Sequence, residues 1–214
     1  MITVKTFAVN PLSENTYIVS DETREAIVID CGAYDNTEQQ AIADYIDSNK
    51  LRIVAHILTH AHFDHIFGAG FIYERYGIQP RCHAGDAHML LDPISYMKSV
   101  IGGALRFSVA PAGPQIRDDE TIHFGSHDIK VIPSPGHTPG GVCFYIADEK
   151  VLFSGDNIFQ MSIGRTDFPG GNHWDLIRSL QHILHELPAD VTIYPGHGPT
   201  TTIGFEREHN PFIS

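Results

Sequence analysis

The 214-residue chain is poor in cysteine, in positive charge and in long apolar runs. Cys31, Cys82 and Cys143 are odd in number, far apart and outside any CxxC spacing. They exclude a disulfide framework and a thiolate zinc knot, and they predict a reducing, cytoplasmic setting. Fourteen Lys and Arg stand against 26 Asp and Glu, a formal charge of −12, with the basic residues scattered. A nucleic-acid partner is therefore not expected. No segment approaches the roughly 20 apolar residues of a membrane span. The first twenty residues carry Pro11, Ser13, Glu14 and Asn15 where a signal peptide needs an apolar core. Neither a membrane partner nor export through a cleaved signal is expected. Length suits one domain over 1–214 with a substantial core, and no low-complexity tract, short repeat or linker divides it.

Histidine, by contrast, is abundant, and Thr59-His60-Ala61-His62-Phe63-Asp64-His65 places three of the fourteen beside an aspartate. On composition alone, an HxHxDH pattern should arise in about four of a thousand such chains. Imidazoles and carboxylates near pH 7 offer nitrogen and oxygen lone pairs, the donors that borderline divalent cations prefer. The cluster therefore reads as metal-binding.

Short β-rich runs open the chain at 2–9, 16–20 and 26–30. From Thr37 the period changes, with Ala41, Ile42, Tyr45 and Ile46 on one helical face and Asn36 as a candidate N-cap. A strand at 53–58 delivers the histidines, and a second amphipathic run through Phe67, Phe71, Ile72 and Tyr76 ends at Gly77, a candidate C-cap. Three later segments repeat an apolar strand, a glycine and a polar residue: 129–137 ending Gly136-His137, 151–156 ending Gly155-Asp156, and 191–197 ending Gly196-His197. Glycine permits sharp reversal and close backbone approach, so side chains at several strand ends can converge. A helix over 173–187, capped by Asn172, buries Leu176, Ile177, Leu180, Ile183, Leu184 and Leu187. The stretch 85–118, with Met89, Leu90, Met97, Leu105, Phe107 and Gly102-Gly103, reads as a lid, a dimer surface, or a core helix plus loop.

THAHFDH, then GHT at 136–138, GD at 155–156 and GHG at 196–198, resemble in that order the metallo-β-lactamase superfamily, across nearly the whole chain. Gly164-Arg165-Thr166-Asp167-Phe168 and the ending Gly196-His197-Gly198-Pro199, with Gly204, Glu206, Arg207 and His209 to Phe212, are similar to single-domain glyoxalase II-like hydrolases. The resemblance implies an α/β (α+β) fold, a four-layer αββα sandwich with its metal site at one edge. It also implies two divalent metal ions, zinc first, with iron or manganese as alternatives. His60, His62 and His137 would hold one ion, Asp64, His65 and His197 the other, and Asp156 would bridge them. Asp64 and Asp156 are the carboxylates expected in catalysis. Thioester hydrolysis follows, with S-lactoylglutathione or a related acylglutathione as small-molecule substrate, by attack of a metal-bridging hydroxide.

Arg165 matches a basic residue that contacts glutathione in that family; otherwise it is a surface ion pair. Asp30 is expected either to orient a ligand imidazole or to cap a turn. Thr59 and Thr138 flank ligands and either support them by hydrogen bonds or satisfy local backbone. His56, His83, His88, His123, His127, His173, His182, His185 and His209 lack ligand spacing. Full-length glyoxalase II carries a further helical domain that grips glutathione, whereas only seventeen residues follow His197 here. The tyrosine usual two positions after that histidine is Pro199. Broader substrate recognition is expected. The alternatives of the same fold are a mononuclear iron persulfide dioxygenase, using the equivalents of His60, His137 and Asp156, and a lactonase-type hydrolase. A zinc β-lactamase is less expected, because Asp156 stands where the best-known members have cysteine.

Overall fold

Strands hidden on both sides define the layering. In the computed structural model, which describes residues 1–102 and 107–213, every residue of Glu14–Ser20 is buried. Gly103 and Leu105 of the irregular stretch lie outside the described residues. The first half supplies β1 (Thr3–Val9), β2 (Glu14–Ser20), β3 (Glu25–Ile29), α1 (Asn36–Ser48), β4 (Arg52–Ile57), α2 (Phe63–Ile66), α3 (Ala69–Tyr76), β5 (Pro80–Arg81), α4 (Ala87–Leu91) and α5 (Pro93–Ile101). Its five strands pair in sequence order, antiparallel through β3 and then parallel. The second half supplies β6 (Thr121–Phe124), β7 (His127–Pro133), β8 (Val142–Ile146) and β9 (Val151–Gly155). A small hairpin of β10 (Ile158–Phe159) and β11 (Ser162–Ile163) follows, then α6 (His173–Glu186), β12 (Thr192–Pro195), β13 (Thr201–Thr202) and α7 (Ile203–His209). Its main sheet runs β13-β12-β9-β8-β7-β6.

Successive side chains of a strand face opposite ways. Tyr17, Val19, Ile27 and Ile29 meet Phe124, Ile129, Val131, Phe144 and Phe153 between the sheets. Ile18 and Val28 face outward onto Ile42 and Ile46 of α1 and Ile72 of α3. On the far side Cys143, Leu152 and Ile193 meet Leu176, Leu180, Ile183 and Leu184 of α6 and Ile203 of α7. Burying one such side chain stabilises by about 1.5–3 kcal/mol, and both faces of each sheet contribute. The result is the αββα sandwich the resemblance implied. No described helix is long and apolar enough to cross a membrane.

Most expected elements form, with local differences. The N-cap of α1 is Asp35 rather than Asn36: its carboxylate accepts from Thr37 N at 2.8 Å and Glu38 N at 2.9 Å, completing a capping box. Gly77, at φ 73, closes α3, and Asn172 caps α6 as expected. The described part of 85–118 is core helix plus loop. Met89 and Leu90 of α4 pack with Leu58 and Ile66, and Met97 of α5 with Phe63 and Phe67.

The orientation of the strands sets the site. β9 and β12 are parallel, and β7 runs the same way because each is antiparallel to its neighbour across β8. Their C-terminal ends, with that of β4, meet along one rim of the sandwich.

Candidate metal centre

Each of those strand ends delivers one part of the site. β4 leads into Thr59, His60 and His62; α2 then begins at Phe63 and carries Asp64 and His65 in its single turn. His137 follows β7, Asp156 follows β9 and His197 follows β12. Two of the glycines bring the backbone in close. A Cβ on Gly155, at φ 51, would lie 2.2 Å from Thr59 Oγ1, and one on Gly196 would lie 2.2 Å from Asp156 Oδ1.

Potential ligand atoms of His60, His62 and His137 lie within 4.8 Å of one another, as do those of Asp64, His65 and His197. Asp156 stands between the two sets. Its Oδ1 is 3.3 Å from His65 Nε2, and its Oδ2 is 3.5 Å from His197 Nε2 and 3.7 Å from His137 Nε2. His62 Nδ1 and His137 Nε2 approach to 2.9 Å, and His197 Nε2 is 3.3 Å from Asp64 Oδ2. All seven residues named from the sequence therefore come together. His173, at the exposed start of α6, packs its ring against Trp174 instead.

The chemistry of these donors suits cations. Nε2 of His60, His62 and His65 and Oδ1 of Asp156 are buried with no hydrogen-bond partner, a costly state for polar atoms unless something binds them. Burial, helped by neighbouring imidazoles, holds His60 well below the ordinary histidine range and His62 at about 3, so both present lone pairs. Burial opposes charge on Asp156 and Asp64, yet His65 and its neighbours hold both carboxyls ionised below the usual range. Burial likewise opposes a charged His65, which Asp156, Asp64 and Asp30 outweigh. Two anionic oxygens surrounded by imidazoles fit borderline divalent ions.

The other nitrogen of four ligand candidates is tethered, which fixes ring orientation. His65 Nδ1 lies 3.0 Å from Asp30 Oδ2, and His60 Nδ1 lies 3.1 Å from Thr59 Oγ1, which donates to Asp30 Oδ2 at 2.7 Å. Asp30 also accepts from Thr59 N at 2.8 Å. It holds the left-handed backbone (φ 54) that Asp tolerates better than most residues. His137 Nδ1 meets the carbonyl of Arg165 at 2.7 Å, and His197 Nδ1 that of Leu12 at 3.0 Å. Thr138 serves a different acceptor, donating to Asp86 at 2.8 Å.

Sequence reasoning missed several of these supports. Asp86 is buried and accepts from Ala61 N, Thr138 Oγ1 and Gly140 N, clamping two ligand loops together. Fully buried Glu14 accepts from Thr16 and Gly32 N, with its Oε1 3.8 Å from His65 Nδ1; burial pushes its carboxyl well up. Asn15 donates to the carbonyls of Pro195 and Gly198, stapling β2 to the loop that carries His197. Glu206 accepts from Met161 N, positioning the hairpin that leads to Arg165.

A cavity of about 260 Å³ opens onto the site, walled by Leu12, Phe63 and Phe168, with Arg165 at its margin. The Arg165 side chain pairs with Asp167 through two 2.7 Å bonds and lies over the Phe168 ring at 3.9 Å. It is thus both a wall of the cavity and part of an exposed ion pair. A larger hollow of about 520 Å³ between α6 and β7–β8 lies away from the ligand cluster.

Comparison with known proteins matches residues 9–197 to the family model described as the metallo-beta-lactamase superfamily. Among relatives, the protein called "Probable metallo-hydrolase YqgX" of Bacillus subtilis is 33% identical over 207 residues, covering 96% of this chain and 95% of its own. Hydroxyacylglutathione hydrolase GloC of Haemophilus influenzae is 29% identical over 211 residues, covering 99% and 98%. Among solved structures, BLEG-1 B3 metallo-beta-lactamase superposes with TM-score 0.90 at 34% identity, covering 99% of this chain and all of its own. TTHA1623 in a di-iron-bound form gives 0.84 at 32%, covering 98% and 100%. ETHE1 from Myxococcus xanthus gives 0.76 at 27%, covering 98% and 83%.

Proposed function

The chain belongs to the metallo-β-lactamase superfamily, and from that premise we propose that it is a dinuclear metal-dependent hydrolase of thioesters, with acylglutathiones such as S-lactoylglutathione as substrates. The observation that carries this reading is the convergence of two three-residue donor sets on one shared carboxylate, Asp156. His60, His62 and His137 would hold one ion, Asp64, His65 and His197 the other, with Asp156 between them. The likeness to GloC supports the thioester class. Zinc is the proposed metal on donor type; the di-iron form of TTHA1623 supports iron as the alternative.

When bound, such ions supply Lewis acidity toward a carbonyl oxygen and lower the pKa of water to about 7. The chain's own residues do the rest. Asp30 and Thr59 hold the imidazoles of His65 and His60 in one orientation, and the Arg165 and Leu12 carbonyls do so for His137 and His197. Leu12, Phe63 and Phe168 keep the cavity wall apolar, which strengthens charge interactions inside it. Arg165 meets a substrate carboxylate by exchanging its pairing with Asp167. A thiolate departs without a dedicated acid, and no serine or cysteine nucleophile is needed. The free, buried cysteines fit the proposed reducing, cytoplasmic setting.

A second reading, an iron persulfide dioxygenase, is favoured by the likeness to ETHE1 and by the grouping of His60, His137 and Asp156 at the site. The test measures thiol release from S-D-lactoylglutathione by protein of known metal content, with His62→Ala and Asp156→Ala beside it. Metal-dependent release, lost together with metal in both variants, is the expected result. No release from protein loaded with metal to saturation would sink the thioester reading. Oxygen uptake on glutathione persulfide would then favour the second one, and ring opening of a β-lactam would point toward the BLEG-1 likeness.

A further inference from the structure

At the rim opposite the metal centre, three turns bring four carboxylates around one buried imidazole. β2 begins at Glu14 beside His65 and ends six residues later at Ser20, a separation of about 20 Å at strand rise. There Asp21 and Glu22 in the β2–β3 turn and Asp148 and Glu149 in the β8–β9 turn surround His127, the first residue of β7. One nitrogen of His127 and one oxygen from each of Asp21 and Glu22 lie within 4.8 Å of one another.

The acidic cluster alone would mean little, since exposed carboxylates gather on many surfaces. His127 is the independent observation. Its residue is 5% exposed, and its Nε2 is buried without a hydrogen-bond partner, 3.7 Å from Glu149 Oε1. Its Nδ1 lies 2.7 Å from Asp148 Oδ2, a contact that needs the proton on Nδ1. In the neutral ring Nε2 is then a bare lone pair aimed among anions. A carboxylate behind one imidazole nitrogen with the other left free is how proteins orient metal-binding histidines.

The cluster is also rigid where it needs to be. Asp21 accepts from Thr23 N at 2.9 Å, Thr23 Oγ1 at 2.5 Å, Ser126 N at 2.8 Å and Ser126 Oγ at 3.1 Å, while Glu22 accepts from Ser126 Oγ at 3.3 Å. The Met1 ammonium already sits on it, 3.2 Å from Glu149 Oε1 and 3.5 Å from Glu22 Oε2. Four carboxylates facing one ammonium and one imidazole retain a net negative charge, which a divalent ion relieves better than a monovalent one.

We infer that His127, Glu22 and Glu149, braced by Asp21 and Asp148, form a second cation site for a zinc-class divalent ion, separate from the metal centre. Mixed imidazole and carboxylate donors suit that class. The ion displaces the ammonium and ties three turns of the two sheets together.

The test uses the full-length protein, stripped of metal, reloaded with Zn²⁺, dialysed into metal-free buffer, and analysed for zinc per chain. The wild type is compared with His127→Gln and with the double variant Glu22→Gln/Glu149→Gln. Both variants should carry one zinc fewer than the wild type while turnover per chain is unchanged. Equal zinc content in wild type and variants overturns the inference, whatever the total. If His127→Gln does not fold, the double variant, whose Glu22 side chain is exposed, decides alone.

Discussion

Replacing Asp86 with alanine should unfasten the metal centre from behind, without touching any proposed ligand. Its carboxylate accepts from Ala61 N at 3.1 Å, between His60 and His62, from Thr138 Oγ1 at 2.8 Å, beside His137, and from Gly140 N at 2.6 Å. Hydrogen bonds to a charged group contribute about 1.5–3 kcal/mol each, so three put at least about 4.5 kcal/mol at stake. Burial pushes the Asp86 carboxyl up, which means its charge is itself a cost, and removing it returns part of that sum. A net loss of about 3 kcal/mol is expected, and for a chain of this size that lowers Tm by about 6–12 °C. Calorimetry of the metal-free protein measures it, and the rate of zinc loss to a chelator reports the loosening of both loops in the loaded protein. Asp86→Asn should recover little, because its amide nitrogen turns a donor toward donors. If Asp86→Ala melted within about 2 °C of the wild type and lost zinc no faster, the clamp would not exist.

His56, fully buried on β4, has neither ring nitrogen paired, and burial holds it at about 3. Below the unfolded histidine's pKa near 6.5, the unfolded chain takes up a proton that the native ring refuses. Stability from this group is therefore whole above about pH 6.5 and lost as pH falls toward 3, by about 1.4 kcal/mol per unit. His56→Leu should flatten that acid limb and stabilise at pH 7 by about 1–3 kcal/mol; denaturant titrations across pH that show parallel limbs for both proteins would refute this. Gly164→Ala should displace Asp156, the proposed shared ligand, because its Cβ would lie 1.8 Å from the Asp156 carbonyl oxygen. Weaker retention of both ions is expected, and unchanged zinc content after chelator challenge would contradict it.

Local spacing alone picks out the candidate donors and their order along the chain. His60, His62, Asp64 and His65 are adjacent, and each later ligand candidate follows a strand and a glycine, so local spacing carries the signal. Strand and helix periods were equally local, which is why α1, α3 and α6 were legible to within a residue or two. β8 carries no such signal, since a run such as Val142-Cys143-Phe144-Tyr145-Ile146 has no alternation when both faces are covered. What holds the donors in place comes from contacts distant in the chain. Asn15 reaches a carbonyl 180 positions away, Asp86 joins loops lying 25 positions before it and 54 after it, and His197 and His137 are oriented by the backbone carbonyls of Leu12 and Arg165. A carbonyl is present at every residue, and a buried Glu14 looks in sequence like any surface glutamate. Their roles arise from the register in which two sheets meet, and that register depends on the packing of the whole core.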